Sequence, residues 1–349
     1  MKKSLYIWFL LALFMIFISP AHADHVKKFA VDKVKGDLSV MVLGSGGPVA
    51  TSSGRASAGY LIFVEGQPRI LMDVGGGTFQ RLAKSGVNVK DLELILLSHL
   101  HIDHTGDLSP VIKTIYFHNR GAGTFRTEPI HFIGPATNNI PFPAAVLPDA
   151  GSTPQYPDSS IYIDQHFDLN AGMERYLHIF SRAISGGVFN FTREDVSPDL
   201  NAPMKIVYDQ DGLVVKTIAV THGPVPALAF RVEYKGKSIV YSGDTNSITD
   251  NMITLAQDAD LLIYDTAIMD DLTNGPNDAV FFTLHTTPTR LGEVAATARP
   301  KKLLLSHITP VTEPRLKTVK KIIRQQGYYR KIMVARDLQV INLLNKKHH

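Results

Sequence analysis

The stretch Leu97–Asp107, "LSHLHIDHTGD", sets His99, His101, Asp103 and His104 within six positions. Imidazole nitrogens and carboxylate oxygens are donors for zinc and related divalent cations. The 349-residue chain has no cysteine, so thiolate ligation and disulfide frameworks are both excluded. Three more residues of the same donor type directly follow apolar runs. His222 follows "LVVKTIAVT", Asp244 follows "SIVYSG" and His307 follows "KLLLS". A single histidine after a strand is ordinarily a structural residue. Seven donors at strand ends match the roughly six or seven ligands, one of them shared, that two cations about 3.5–4 Å apart require. Such a pair would serve metal-assisted hydrolysis.

The elements that must position these donors follow from periodicity. Strands are predicted over 38–44, 60–64, 69–74 and 92–98, the last nearly all apolar, as a strand covered on both faces should be. Helices are predicted near 78–85 and 107–117. A second series has strands at 213–221, 227–234, 238–243, 260–265, 302–306 and 338–344, with helices near 250–257, 288–298 and 315–326. Both halves run strands first and then alternate, which predicts a four-layer α/β sandwich: helices, sheet, sheet, helices. Ligands collect at the strand ends of such folds. Residues 119–205, rich in Pro, Gly, Asn and Asp with a modest helical signal at 172–184, are expected to form an insertion capping the site. Phe180, Phe189 and Phe191 would line a substrate pocket there or form the insertion's own small core. The glycine-rich stretch Gly44–Arg55 is expected to face the site, its N–H groups or Arg55 receiving an anion. Gly75–Gly77 reads as a tight turn before a helix.

At the N-terminus, Lys2 and Lys3 precede an apolar run over 5–18, and Ala21-His22-Ala23 offers small residues for a signal peptidase. Residues 1–23 are therefore expected to be an export signal, with 24–349 as one hydrolase domain in the periplasm or medium. The competing reading is an uncleaved anchor, although the run is short of the roughly 20 residues of a membrane span. The net charge is +4 and no long basic stripe occurs, which gives no electrostatic argument for nucleic acid. No membrane contact is expected after cleavage.

"HLHIDH" resembles the H-x-H-x-D-H signature of the metallo-β-lactamase superfamily, and "THG", "SGDT" and "SHITP" continue the resemblance over about residues 38–345. It implies the αββα fold. By position it implies that His99, His101 and His222 bind one zinc, that Asp103, His104 and His307 bind the other, and that Asp244 bridges. "ADLLIYDTAI" (Ala259–Ile268) and the stretch from Leu284 to Pro310 are similar to the ribonuclease Z, phosphodiesterase and arylsulfatase-like branch. There an acid and a histidine help protonate the leaving oxygen. The corresponding residues are Asp265, where ribonuclease Z more often has Glu, and His285. Ribonuclease Z usually carries its tRNA-gripping arm between the residues matching His222 and Asp244. Only a hairpin fits there in this chain.

The resemblance therefore implies an exported hydrolase of phosphodiester or aryl sulfate esters. Asp103 would help hold the attacking water, and Asp265 with His285 would serve the leaving group. Two zinc ions are expected, although manganese or iron accept the same donors. The expected partner is a small anionic ester, not nucleic acid. If the chain self-associates, a homodimer is the commonest assembly. The alternatives are a lactonase or β-lactamase-type hydrolase, which needs no leaving-group acid, and a non-catalytic metal-binding module.

Overall fold

The computed structural model describes residues 28–123, 126–141, 153–168, 170–178, 191–272, 275 and 278–344. The N-terminal segment 1–23, Phe180, Phe189 and the basic tail lie outside the described residues.

Two seven-stranded sheets face each other. The first has the order β14-β1-β2-β3-β4-β5-β6, built from Val340–Leu343, Leu38–Gly44, Gly59–Val64, Gln67–Val74, Leu94–Leu96, Ile130–Pro135 and Phe191–Val196. The second has the order β13-β12-β11-β10-β9-β8-β7, from Lys331–Val334, Lys302–Ser306, Leu261–Asp265, Lys237–Tyr241, Val225–Tyr234, Leu213–His222 and Lys205–Gln210. Each sheet is antiparallel on one side and parallel on the other, where helical crossovers return the chain. Strand alternation divides the apolar residues. Val40, Tyr60, Ile62 and Met72 meet Leu228, Phe230, Val232 and Ile263 between the sheets. Leu61, Leu71 and Ile95 pack outward with α3 (Leu108–Gly121). Val240, Leu262 and Leu303 pack outward with α6 (Asn251–Ala256), α8 (Pro288–Ala298) and α9 (Leu316–Gln325). These three apolar layers give the expected helix–sheet–sheet–helix order.

The stretch 119–205 is less of an insertion than its composition suggests. It contains β5 and β6, both hydrogen-bonded into the first sheet in parallel register. Between β5 and β6 the described residues carry α4 (Ser159–His166) and α5 (Glu174–His178). Phe191 is a core residue: it sits in β6 and packs against Phe132 and Phe167. From His222 to Asp244 the chain is β9, β10 and tight turns, as the hairpin reading requires. Among the described residues no helix is long and apolar enough to cross a membrane.

Candidate metal centre

The parallel strands of each sheet, and β8 beside them, end at one edge of the sandwich, and the predicted donors converge there. His99 and His101 follow β4. Asp103 and His104 lie on the single turn α2 (Ile102–Thr105). His222 ends β8, Asp244 follows β10, Asp265 ends β11, and His307 follows β12. His285 follows α7 (Asp278–Leu284). Six imidazoles form a closed circuit of ring neighbours. The centroid separations are 4.6 Å for His101–His99, 4.1 Å for His99–His104 and 5.3 Å for His104–His307. They continue at 5.4 Å for His307–His285, 5.4 Å for His285–His222 and 5.1 Å for His222–His101. All nine candidate ligand and catalytic residues are brought to this one place.

The donors form two clusters. In the first, His101 Nδ1 lies 3.0 Å from His99 Nε2 and 3.3 Å from His222 Nε2. Tetrahedral bonds of about 2 Å put neighbouring donor atoms about 3.3 Å apart. His222 Nδ1 donates to the Leu284 carbonyl at 2.7 Å. A carbonyl only accepts, so that proton is fixed on Nδ1 and Nε2 presents a lone pair. Burial pushes His99, His101 and His222 below the ordinary histidine pKa, His222 to about 4, which keeps these imidazoles neutral and able to ligate.

The second cluster is Asp103, His104, Asp244 and His307. His307 Nε2 lies 3.2 Å from Asp103 Oδ2, 3.2 Å from Asp244 Oδ2 and 3.3 Å from His104 Nε2. His104 Nε2 is 3.4 Å from each of the two carboxylates. Burial disfavours charge on every member, yet the members overcome it in pairs. Asp244 and Asp103 hold His104 well above its ordinary pKa, and Asp244 first among the carboxylates pushes His307 up to about 10. The same histidines hold Asp103 and Asp244 below the carboxylate range. Asp244 also approaches His99 Nε2 at 4.0 Å, so it stands between the clusters. Its Oδ1 is buried with no hydrogen-bond partner among the described residues, as is His307 Nδ1. A buried carboxylate oxygen without a hydrogen bond is costly unless a cation meets it. These two groups of donor atoms, each within 4.8 Å of one another, can hold metal ions.

Beside them, His285 Nδ1 is 2.8 Å from Asp265 Oδ2. Burial lowers the His285 pKa, but the Asp265 carboxylate outweighs burial and raises it. Asp265 is fixed in turn. Its backbone N–H donates to Ser242 Oγ at 3.0 Å, its Oδ1 accepts from Ala267 N at 3.1 Å, and Oδ1 lies 3.5 Å from His307 Nδ1.

Asp73 was not singled out in the sequence. In β3, Gly59 pairs with Val74 but Tyr60 pairs with Met72, so Asp73 is the extra residue of a bulge, at φ 55°. The bulge turns its carboxylate into the site. There Asp73 accepts from Ser98 N and Oγ at 2.7 Å each, Tyr241 Oη at 2.6 Å and His104 Nδ1 at 2.7 Å. It thereby sets the orientation of His104. The available signal was an acid inside the apolar run "RILMDV".

The glycine-rich stretch has a different role from the one expected. Arg55 is committed: Nε meets Glu313 at 2.8 Å, and a terminal nitrogen reaches Ser45 Oγ and the Ala335 carbonyl at 2.8 and 2.7 Å. The N–H groups of Ser45 and Gly46 are bonded to Asp337 and Ala56. What the stretch supplies is closeness, because a Cβ on Gly47 would sit 2.7 Å from the His307 ring. Gly75–Gly77 is the expected turn into α1 (Thr78–Ser85). A Cβ on Gly75 would fall 2.0 Å from the Asp103 carbonyl, and Asp107 binds the N–H groups of Gly77 and Phe79 at 2.9 and 2.8 Å.

The chain is similar to known proteins. A family model described as Metallo-beta-lactamase superfamily matches residues 54–288. A ribonuclease Z of Mycolicibacterium paratuberculosis is 30% identical over 278 residues, spanning 78% of this chain and 86% of that protein. The metallo-beta-lactamase fold protein YhfI from Bacillus subtilis has the same fold with a TM-score of 0.59 at 19% identity, over 88% of this chain and 99% of that one. Human tRNase Z, short form, has a TM-score of 0.58 at 22% identity, over 87% and 98%.

Proposed function

Because the chain belongs to the metallo-beta-lactamase superfamily, alongside its ribonuclease Z relatives, we propose that it is a metal-dependent hydrolase of phosphodiester or aryl sulfate esters. The observation that carries this reading is the His285–Asp265 pair, 2.8 Å apart, set against both donor clusters. Cleaving such an ester releases an alkoxide or phenolate that needs a proton. Engagement of Nδ1 with Asp265 leaves Nε2 of His285 to supply it.

His99, His101 and His222 would hold one divalent cation and Asp103, His104 and His307 the other, with Asp244 between them. An ion held there would supply a water made acidic enough to ionise near neutrality and would offset the charge that grows on the ester oxygens. Asp103 and Asp244 hold and orient the attacking water. As its oxygen bonds to phosphorus or sulfur, the bond to the leaving oxygen breaks. His285 delivers its proton to that oxygen, and Asp265 stabilises the imidazolium beforehand.

Export of the mature chain from Asp24 is part of the proposal and rests on the N-terminal pattern of Lys2, Lys3 and the apolar run. It would separate the enzyme from cytoplasmic tRNA precursors. The relatives' name favours a second reading, RNA processing. Against it, the chain between His222 and Asp244 consists of two strands and tight turns.

Purified protein assayed on bis-p-nitrophenyl phosphate, p-nitrophenyl sulfate, cyclic AMP and a precursor tRNA, with and without chelator, tests all of this. Chelator-sensitive turnover of a small ester is expected. Turnover of lactones or β-lactams alone would overturn the ester reading, and cleavage of the precursor tRNA alone would replace it with the second.

A further inference from the structure

Beside the first donor cluster, a cavity of about 200 Å³ is lined in part by His101. Its walls are Leu100, Pro135, Pro157, Val225 and Pro226, with Tyr156 and Tyr162. No charged side chain lines it among the described residues. The Tyr162 hydroxyl is already spent on Thr105 Oγ1 at 3.1 Å, so this residue offers the cavity its ring, not a donor. A dry apolar cavity of about 150 Å³ accepts a benzene ring, so this one has room for a single ring and little more.

Position decides which part of an ester reaches it. In the circuit of imidazoles, His285 neighbours His222 and His307, whereas His101 neighbours His222 and His99. The leaving oxygen must lie at His285. The cavity opens beside His101, two rings along that circuit from His285, with His222 between them. Resting on the phosphodiesterase reading above, we propose that this cavity binds an aromatic substituent that stays on phosphorus after the leaving group departs. The substrate class is then an aryl-substituted phosphodiester, in preference to a sulfate monoester, which has no retained organic group, or a polyanionic RNA, which would meet an uncharged wall.

The test is a series of p-nitrophenyl phosphodiesters with one constant leaving group and a methyl, phenyl or 1-naphthyl retained group. Burial of a ring predicts that kcat/KM rises about tenfold or more from methyl to phenyl, carried by KM. Naphthyl, too large for one ring's space, should gain nothing further. In Tyr156→Ala the phenyl-to-methyl ratio should fall toward one at unchanged metal content, and Tyr156→Phe should restore it. Calorimetric binding of phenylphosphonate against methylphosphonate to metal-stripped protein reads the same preference without turnover. A flat retained-group series, or a dependence on the size of the leaving group alone, overturns the cavity's assignment while leaving the ester reading intact. No turnover of any member, methyl included, overturns the phosphodiester reading and this proposal with it.

Discussion

Gly47→Ala should disable the metal centre although residue 47 offers no ligand. Built on the existing backbone, the new Cβ stands 2.7 Å from His307 Cε1, 2.9 Å from Nδ1 and 3.1 Å from Nε2. Ordinary contact begins near 3.4 Å, so the ring or the loop must give by more than half an ångström. The loop cannot easily retreat, because Ile308 N donates to Ser45 O at 2.9 Å and Gly46 N to Ala56 O at 2.8 Å. The ring has no slack either, with Asp103 and Asp244 each 3.2 Å from Nε2. Metal sites tolerate about 0.2 Å in a ligand bond. Affinity for the second cation should therefore fall about 10–100-fold, and kcat by about a hundredfold, the usual cost of a misplacement near 1 Å. Gly47 is not among the glycines at positive φ, so backbone strain does not confuse the result. Gly76→Ala is the matched control, since nothing lies within 4 Å of its added Cβ. Metal content should be measured by mass spectrometry after dialysis against buffered free zinc, with thermal unfolding to confirm folding. A folded Gly47→Ala protein that keeps two equivalents at wild-type affinity would refute the reasoning.

His285→Ala should retain its metal content yet lose about 10²–10⁴-fold in kcat on esters with poor leaving groups, and far less on p-nitrophenyl esters, whose phenolate needs little protonation; equal losses on both would remove His285 from the leaving-group role. Asp73→Asn should weaken metal binding about 10–100-fold by releasing His104, read as zinc affinity in a competition titration with a chromophoric chelator; unchanged affinity would show that His104 needs no such partner. Arg55→Ala should lower the unfolding temperature, because it removes a partner from Glu313, Ser45 and the Ala335 carbonyl, while leaving KM for anionic esters unchanged; a raised KM would return Arg55 to substrate binding. Chelator treatment should lower the unfolding temperature of the wild-type protein by several degrees and zinc should restore it, since bound metal stabilises only the folded chain; a melting curve indifferent to both would argue that the donors do not hold metal.

What the sequence disclosed, and what it hid, divides along the range of the interactions. An apolar run ending in His or Asp is a local signal, and it located His222, Asp244 and His307 because a strand points its last residue at the sheet edge. The helices over 78–85, 288–298 and 315–326 were visible for the same reason: one face of each is apolar at helical spacing. Of the edge strands, the closing one at 338–344 was visible, but β7 and β13 were not. β7, "KIVYDQ", is largely exposed, and β13 has only four residues, so neither carries a buried run. The composition of 119–205 masked β5 and β6, whose parallel pairing is made with strands distant in the chain. The Arg55–Glu313 pair, 258 residues apart, has no local trace at all.

The site itself shows the same division. Asp73 and His307 both sit at φ 55°, a conformation that side chains with a Cβ rarely adopt, and both face the second cluster. Neither deviation is written in the residue type. Each goes with long-range packing: Asp73 lies in the bulge against β2, and His307 precedes Ile308, whose N–H donates to Ser45 O at 2.9 Å. Residue types therefore say which atoms ligate, while the packing of glycines and bulges says where those atoms stand. A homologue that kept every ligand but filled position 47 should for that reason bind metal poorly, and ligand motifs alone would not reveal it.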